Sequence, residues 1–98
     1  MKYIEVRWKH QSPDDPVMIY SELDADSWEL RKVELYADGR KGFADSSREV
    51  GGSMLGLEPL PELAEIAAQP EFEPSEITPS EFEAVWTQAT LSEDNSQA

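Results

Sequence analysis

The stretch Trp28 to Phe43, WELRKVELYADGRKGF, sets two runs of strand-forming residues on either side of an Asp38-Gly39 pair. Asp-Gly tolerates the positive φ angles of a tight type I′ turn, whose twist matches the right-handed twist of the strands it joins. The sequence therefore predicts a β-hairpin here. The residues before the hairpin also read as strand, and those after Gly52 read as loop and helix.

From Lys2 to His10, Ile4, Val6, Trp8 and His10 share one parity while Tyr3, Glu5, Arg7 and Lys9 share the other, the pattern of a half-buried strand. Gln11 to Pro16 (QSPDDP) stops it, because its two prolines remove backbone donors and fix φ. Alternation resumes from Val17 to Leu23, with Val17, Ile19 and Leu23 on one side and Met18, Tyr20 and Glu22 on the other. Asp24 to Ser27 (DADS) is turn chemistry. In the third strand Trp28 and Leu30 have the opposite parity to Val33 and Leu35, so a bulge near Arg31 or Lys32 is expected to restore one apolar face. Arg40 to Asp45, with Phe43, is the fourth strand. Short connections favour an antiparallel meander.

Ser46 to Gly56 (SSREVGGSMLG) carries three glycines and reads as a flexible crossover. Pro59 and Pro61 precede ELAEIAAQ, where Leu63, Ile66 and Ala67 share a helical face; Pro70 ends this first helix. Pro70 to Ile77 reads as an extended acidic segment anchored by Phe72 and Ile77. Thr78-Pro79-Ser80-Glu81 is a capping box with proline at the first helical position. The helix it opens is expected to reach about Ala89 and to cover the sheet with Phe82, Val85, Trp86 and Ala89. The expected fold is α+β: a four-stranded antiparallel β-meander covered on one face by two short C-terminal helices. Residues 1–90 form the domain and residues 91–98 a flexible polar tail.

Ninety-eight residues suffice for one core. With no cysteine, disulfides, thiolate nucleophiles and cysteine-ligated metals are excluded. The alternating N-terminus MKYIEVRWKH lacks the apolar run of a signal peptide, and no stretch has the ~20 apolar residues of a membrane span, so a cytoplasmic setting is expected. The net charge is −13 and is unevenly spread. Residues 1–57 hold all eight Lys and Arg and eleven acids, a net −3, whereas residues 58–98 hold ten acids and no Lys or Arg. Such a half repels phosphate backbones and anionic membranes, so neither nucleic acid nor membrane is an expected partner. A basic protein surface is the electrostatically complementary one, and solubility alone is the simpler use of the charge.

Chemistry is sparse. His10 is the only histidine, no nucleophile-elbow sequence surrounds any serine, and an ordinary hydrogen-bonded histidine is expected. Asp14/Asp15 and Asp24/Asp26 lack the glycine and terminal glutamate of a calcium loop and read as turn residues. Glu22 and Glu29, on neighbouring strands, form a conceivable acid/base pair with nothing to mark either as desolvated. GGSMLG has no lysine at phosphate-loop spacing. Arg7, Lys9, Arg31 and Lys32 beside Tyr3, Tyr20 and Tyr36 resemble a single-strand nucleic-acid surface, but cross-strand pairing with Glu5, Glu22 and Glu34 is the simpler use. Of three tryptophans, Trp8 and Trp86 are expected in the core and Trp28, beside an acidic turn, partly exposed and available to a partner. No catalytic residue, cofactor or metal is assigned, and an enzyme is not expected.

The order of YSELD, WELRKVELYADGRKGF, a glycine pair, EPLPELAEI and PEFEPSEITPSEFEAVW resembles a family of small uncharacterised bacterial proteins carrying a domain of unknown function. The resemblance covers about residues 1–88. It implies a bacterial source and a stand-alone domain, and no activity. The function expected is an acidic protein-binding module, most concretely an immunity-type inhibitor of a basic toxin or nuclease, with Glu62, Glu65, Glu71, Glu73, Glu76, Glu83 and Trp28 as contacts. The alternatives are a small-ligand binder or enzyme using a sheet face where Tyr20, Glu22, Arg31 and Tyr36 converge, and a protein with no ligand.

Overall fold

The computed structural model describes residues 1–96, with side chains to Leu91. It is α+β, an open antiparallel sheet of six strands with two helices. The strands are β1 (Lys2–Trp8), β2 (Met18–Leu23), β3 (Glu29–Leu35), β4 (Lys41–Ala44), β5 (Glu49–Val50) and β6 (Phe72–Ile77); the helices are α1 (Leu63–Ala67) and α2 (Pro79–Ser96). The sheet order is β5-β4-β3-β2-β1-β6. The expected four-stranded meander is thus the middle of a larger sheet. The acidic segment after Pro70 is a true edge strand, pairing Tyr3 with Ile77 through to Trp8 with Phe72. Pro74 opposes Val6 within it, a position that proline tolerates only because this is an edge.

The helices lie on opposite faces of the sheet, not on one. Side chains alternate along β1, and Ile4 and Val6 pack with Leu23 and with Ile66 and Leu63 of α1. Tyr3, pointing the other way, meets Phe82 of α2 with ring centroids 5.4 Å apart. On the α2 face Val33, Phe43 and Ala89 form a second core joined by Tyr20, Leu35, Val50, Val85 and Trp86. The stripe expected of α2 therefore does cover the sheet. Its capping box is formed: the Glu81 amide donates to Thr78 Oγ1 at 3.1 Å and the Thr78 amide to Glu81 Oε1 at 3.2 Å. The helix runs past Ala89 to Ser96, through the first part of the expected tail; residues 97 and 98 lie outside the described residues.

Two local expectations change in detail. The hairpin turn is not type I′. The Gly39 amide donates to the Tyr36 carbonyl and the Tyr36 amide to the Arg40 carbonyl, both at 3.0 Å, and Gly39 alone takes positive φ, at 92°. This is a three-residue loop closed by a glycine bulge, which Asp-Gly serves equally well. The bulge of β3 falls at Leu30, one residue before Arg31: Glu22 pairs with Arg31 but Leu23 with Glu29. Glu29 and Arg31, two apart, would share a face of a regular strand; the extra residue sends them to opposite faces. Trp8 and Trp86, both expected in the core, are each half-buried: Trp8 lies at the sheet end against His10 and Phe72, and Trp86 packs against the α2-side core on Phe43, with centroids 5.4 Å apart.

Candidate functional site

The bulge builds two polar clusters, one on each face. On the α2 face Arg31 Nε and Nη2 donate to the two oxygens of Glu22 at 2.7 and 2.9 Å, and Tyr3 Oη donates to Glu22 Oε2 at 2.8 Å. Arg31 also donates to Glu83 of α2 and lies 4.9 Å above the Phe82 ring and 5.1 Å from that of Trp86. The bidentate hydrogen bonds from Arg31, reinforced by Tyr3, hold the Glu22 carboxyl below the ordinary carboxylate range against the opposing effect of burial. The same carboxylate raises the Tyr3 phenol. Every donor and acceptor that meets here is answered, and α2 lies over the cluster. It is a fastening between helix and sheet.

The α1 face is different. A groove of about 570 Å³ lies between the sheet and the segment running from Gly56 into α1, walled by Val6, Ile19, Leu57, Leu60, Ile66 and Phe72. Its floor is polar. Buried Glu29 accepts the Ser21 hydroxyl at 2.7 Å, the Gly56 amide at 2.7 Å and Lys32 Nζ at 3.0 Å. Lys32 also donates to the Met54 carbonyl at 3.2 Å. Residues three apart on a regular strand point to opposite faces, so the Glu29–Lys32 pair exists because of the bulge. These bonds tie the glycine-rich crossover down as a strap. Buried Ser53 donates to Glu34, and the Leu60 amide donates to the Ser27 carbonyl at 2.8 Å. Ser53 sits so close to Gly42 that a Cβ there would come within 2.5 Å of its Oγ. The strap leaves apolar surface in the open: Leu57 is 84% exposed and Met54 54%.

The sequence-predicted contact residues do not form one face. Glu62 and Glu65 stand exposed on and beside α1, Glu71, Glu73 and Glu76 along the β6 edge, and Glu83 on the opposite face, bound to Arg31. Glu73 meets Lys9 at 3.9 Å. Among the described residues, no Lys or Arg is within ion-pair distance of Glu58, Glu62, Glu65, Glu71 or Glu76. Trp28 is 42% exposed, as its place beside the turn suggests. The sheet-face alternative is rearranged too. Glu22 and Arg31 converge, but Tyr20 packs in the α2-side core and Tyr36 lies under Arg40, 4.7 Å from its guanidinium. Glu22 and Glu29 lie on opposite faces and form no acid/base pair.

His10 accepts the Ser12 amide at Nδ1, 3.0 Å, and its Nε2 is 2.7 Å from the Pro16 carbonyl, so it fastens the β1–β2 connection. The aspartates behave as turn residues: Asp24 Oδ1 accepts the amides of Asp26 and Trp28 at 2.9 and 3.0 Å. No group of three or more His, Asp or Glu that could hold a metal ion is present among the described residues. No described helix is long and apolar enough to cross a membrane. No periodicity in the sequence marks the groove; its one signal is the run of Leu57, Pro59, Leu60 and Pro61, too proline-rich to be helix and too apolar for a free loop.

The chain matches no curated protein and no solved structure. Residues 2–91 match a family described as a domain of unknown function (DUF6881), and the chain belongs to that family.

Proposed function

We propose that this protein is a cytoplasmic protein-binding module that takes a basic partner through its acidic C-terminal half. The observation that carries the reading is the set of exposed carboxylates without a cation of their own, Glu58, Glu62, Glu65, Glu71 and Glu76, in a half with no Lys or Arg. Glu73 and Glu83, engaged with Lys9 and Arg31, are secondary contacts, and Trp28 offers an exposed aromatic beside the turn that receives the strap. The most concrete form of this function is an immunity-type inhibitor that covers a basic toxin or nuclease of a bacterial cell. Uncompensated acids of this kind act mainly by steering association.

The test is capture from a bacterial lysate at ~0.05 M salt and again at ~0.5 M, where charges more than a few ångströms apart are screened. The bait is run beside Glu62→Gln/Glu65→Gln/Glu71→Gln/Glu76→Gln. A basic protein that is retained at low salt, lost at high salt and bound at least tenfold less by the variant supports the reading. Equal retention by both baits contradicts it and leaves solubility as the use of the charge.

A small-ligand reading is favoured by one observation, the apolar groove with a polar floor, whose volume lies within the ~300–1,000 Å³ of ordinary ligand sites. A thermal-shift screen of small apolar compounds tests it; a stabilising compound whose effect persists at high salt would favour it over the charge-based reading.

A further inference from the structure

We infer that the groove on the α1 face receives an apolar side chain presented by a segment rich in Lys and Arg, so that the basic partner is gripped by an apolar anchor as well as by charge. The inference rests on the reading above and names where that partner docks.

Four observations lead to it. The groove walls are apolar, from Val6 and Ile19 on the sheet to Leu57, Leu60, Ile66 and Phe72 above it. Leu57 is 84% exposed at the rim, an apolar side chain left in water on a chain that buries its other leucines more fully. The polar floor calls for no charged ligand: Glu29 and Lys32 neutralise each other at 3.0 Å, and Glu29 is further satisfied by Ser21 and Gly56. The rim carries Glu58, and the adjoining α1 segment carries Glu62 and Glu65, all exposed and, among the described residues, in no ion pair, the groove's own Lys32 being taken by Glu29. A second copy of this chain is a poor occupant because two chains of charge −13 repel. A segment with cations flanking a Leu-like side chain answers both the walls and the rim.

The probe is a short dye-labelled peptide of alternating Lys and Leu, compared by fluorescence anisotropy with a Lys/Ser peptide of the same charge and with a Glu/Leu peptide. The Lys/Leu peptide is expected to bind about tenfold or more tighter than Lys/Ser, the size of effect that burying one or two apolar side chains gives. Leu57→Ser should remove most of that advantage, while Leu91→Ser, an exposed leucine on the other face, should not. Both variants alter exposed side chains, and an unchanged melting curve verifies the fold. Equal binding of Lys/Leu and Lys/Ser would overturn the groove while leaving the acidic surface in place. Binding of neither cationic peptide would overturn both. Glu/Leu bound as well as Lys/Leu, or an equal loss in Leu57→Ser and Leu91→Ser, would also overturn the inference.

Discussion

The two faces of the sheet are finished differently. Over one, α2 lays Val85, Trp86 and Ala89 on Val33, Phe43 and Tyr20 and sets Phe82 on Tyr3, and Arg31 stitches helix to sheet through Glu22 and Glu83. Over the other, a five-residue helix and a strap held by Glu29, Glu34 and Lys32 leave a groove and an exposed leucine. A long helix and an aromatic core close the first face; on the second, Ile4, Val6, Leu23 and Ile66 form a core of their own and the groove stays open beside it. The same bulge at Leu30 serves both, since it delivers Arg31 to one and Glu29 to the other. Where a small chain has little core to spare, surface left uncovered is the place to look for a partner.

Substitutions should separate the faces. The largest effect is expected at Phe82, fully buried under α2: Phe82→Ala should cost about 3–5 kcal/mol in denaturant unfolding, a large share of the stability of so small a domain. A cost below ~1 kcal/mol would break the claim that α2 is packed firmly onto this face.

Arg31→Ala comes next, at about 2–3 kcal/mol, because it strands Glu22 beneath the helix while the Arg31 side chain is itself 22% exposed. Its partner gives the pH dependence. The folded Glu22 carboxyl titrates below its unfolded value, so its contribution is present above that value, ~4.3, and fades as the pH falls through the lower folded one. Glu22→Gln should therefore unfold with a shallower loss of stability across the acid range. An unaltered acid profile would show that the pair does not hold the helix.

Thr78→Ala should cost about 1 kcal/mol by opening the cap of α2, seen as a lower melting temperature. The smallest effect is expected on the other face: Leu57→Ser should change stability by less than ~0.5 kcal/mol. A loss of about 2 kcal/mol or more, that of a buried leucine, would mean that Leu57 is packed and the groove closed.

The legibility of this chain in its sequence divides along the same line. The strands through β4, the DADS turn and the capping box depend on neighbours in sequence, and their residues announce them. The bulge was legible because Trp28 and Leu30 disagree in parity with Val33 and Leu35, though its exact position depends on which residue pairing with β2 leaves out. Strand β6 shows in the sequence only as an extended segment because Glu73, Ser75 and Glu76 give no apolar alternation; an edge strand needs only its backbone partners on β1. The two-sided covering was hidden because Tyr3 and Glu22 look like solvent-facing residues until Arg31 and Phe82 reach them from distant segments. Likewise the groove depends on the path of the strap, fixed by single bonds from Glu29 and Lys32 that no local pattern encodes.

The most direct test of the central claim, that the α1 face is the docking face and the α2 face the structural one, is amide hydrogen exchange with and without the Lys/Leu peptide. Protection gained across residues 54–66, with residues 79–91 unchanged, is the result expected. Protection gained on α2, with residues 54–66 unaffected, would contradict it.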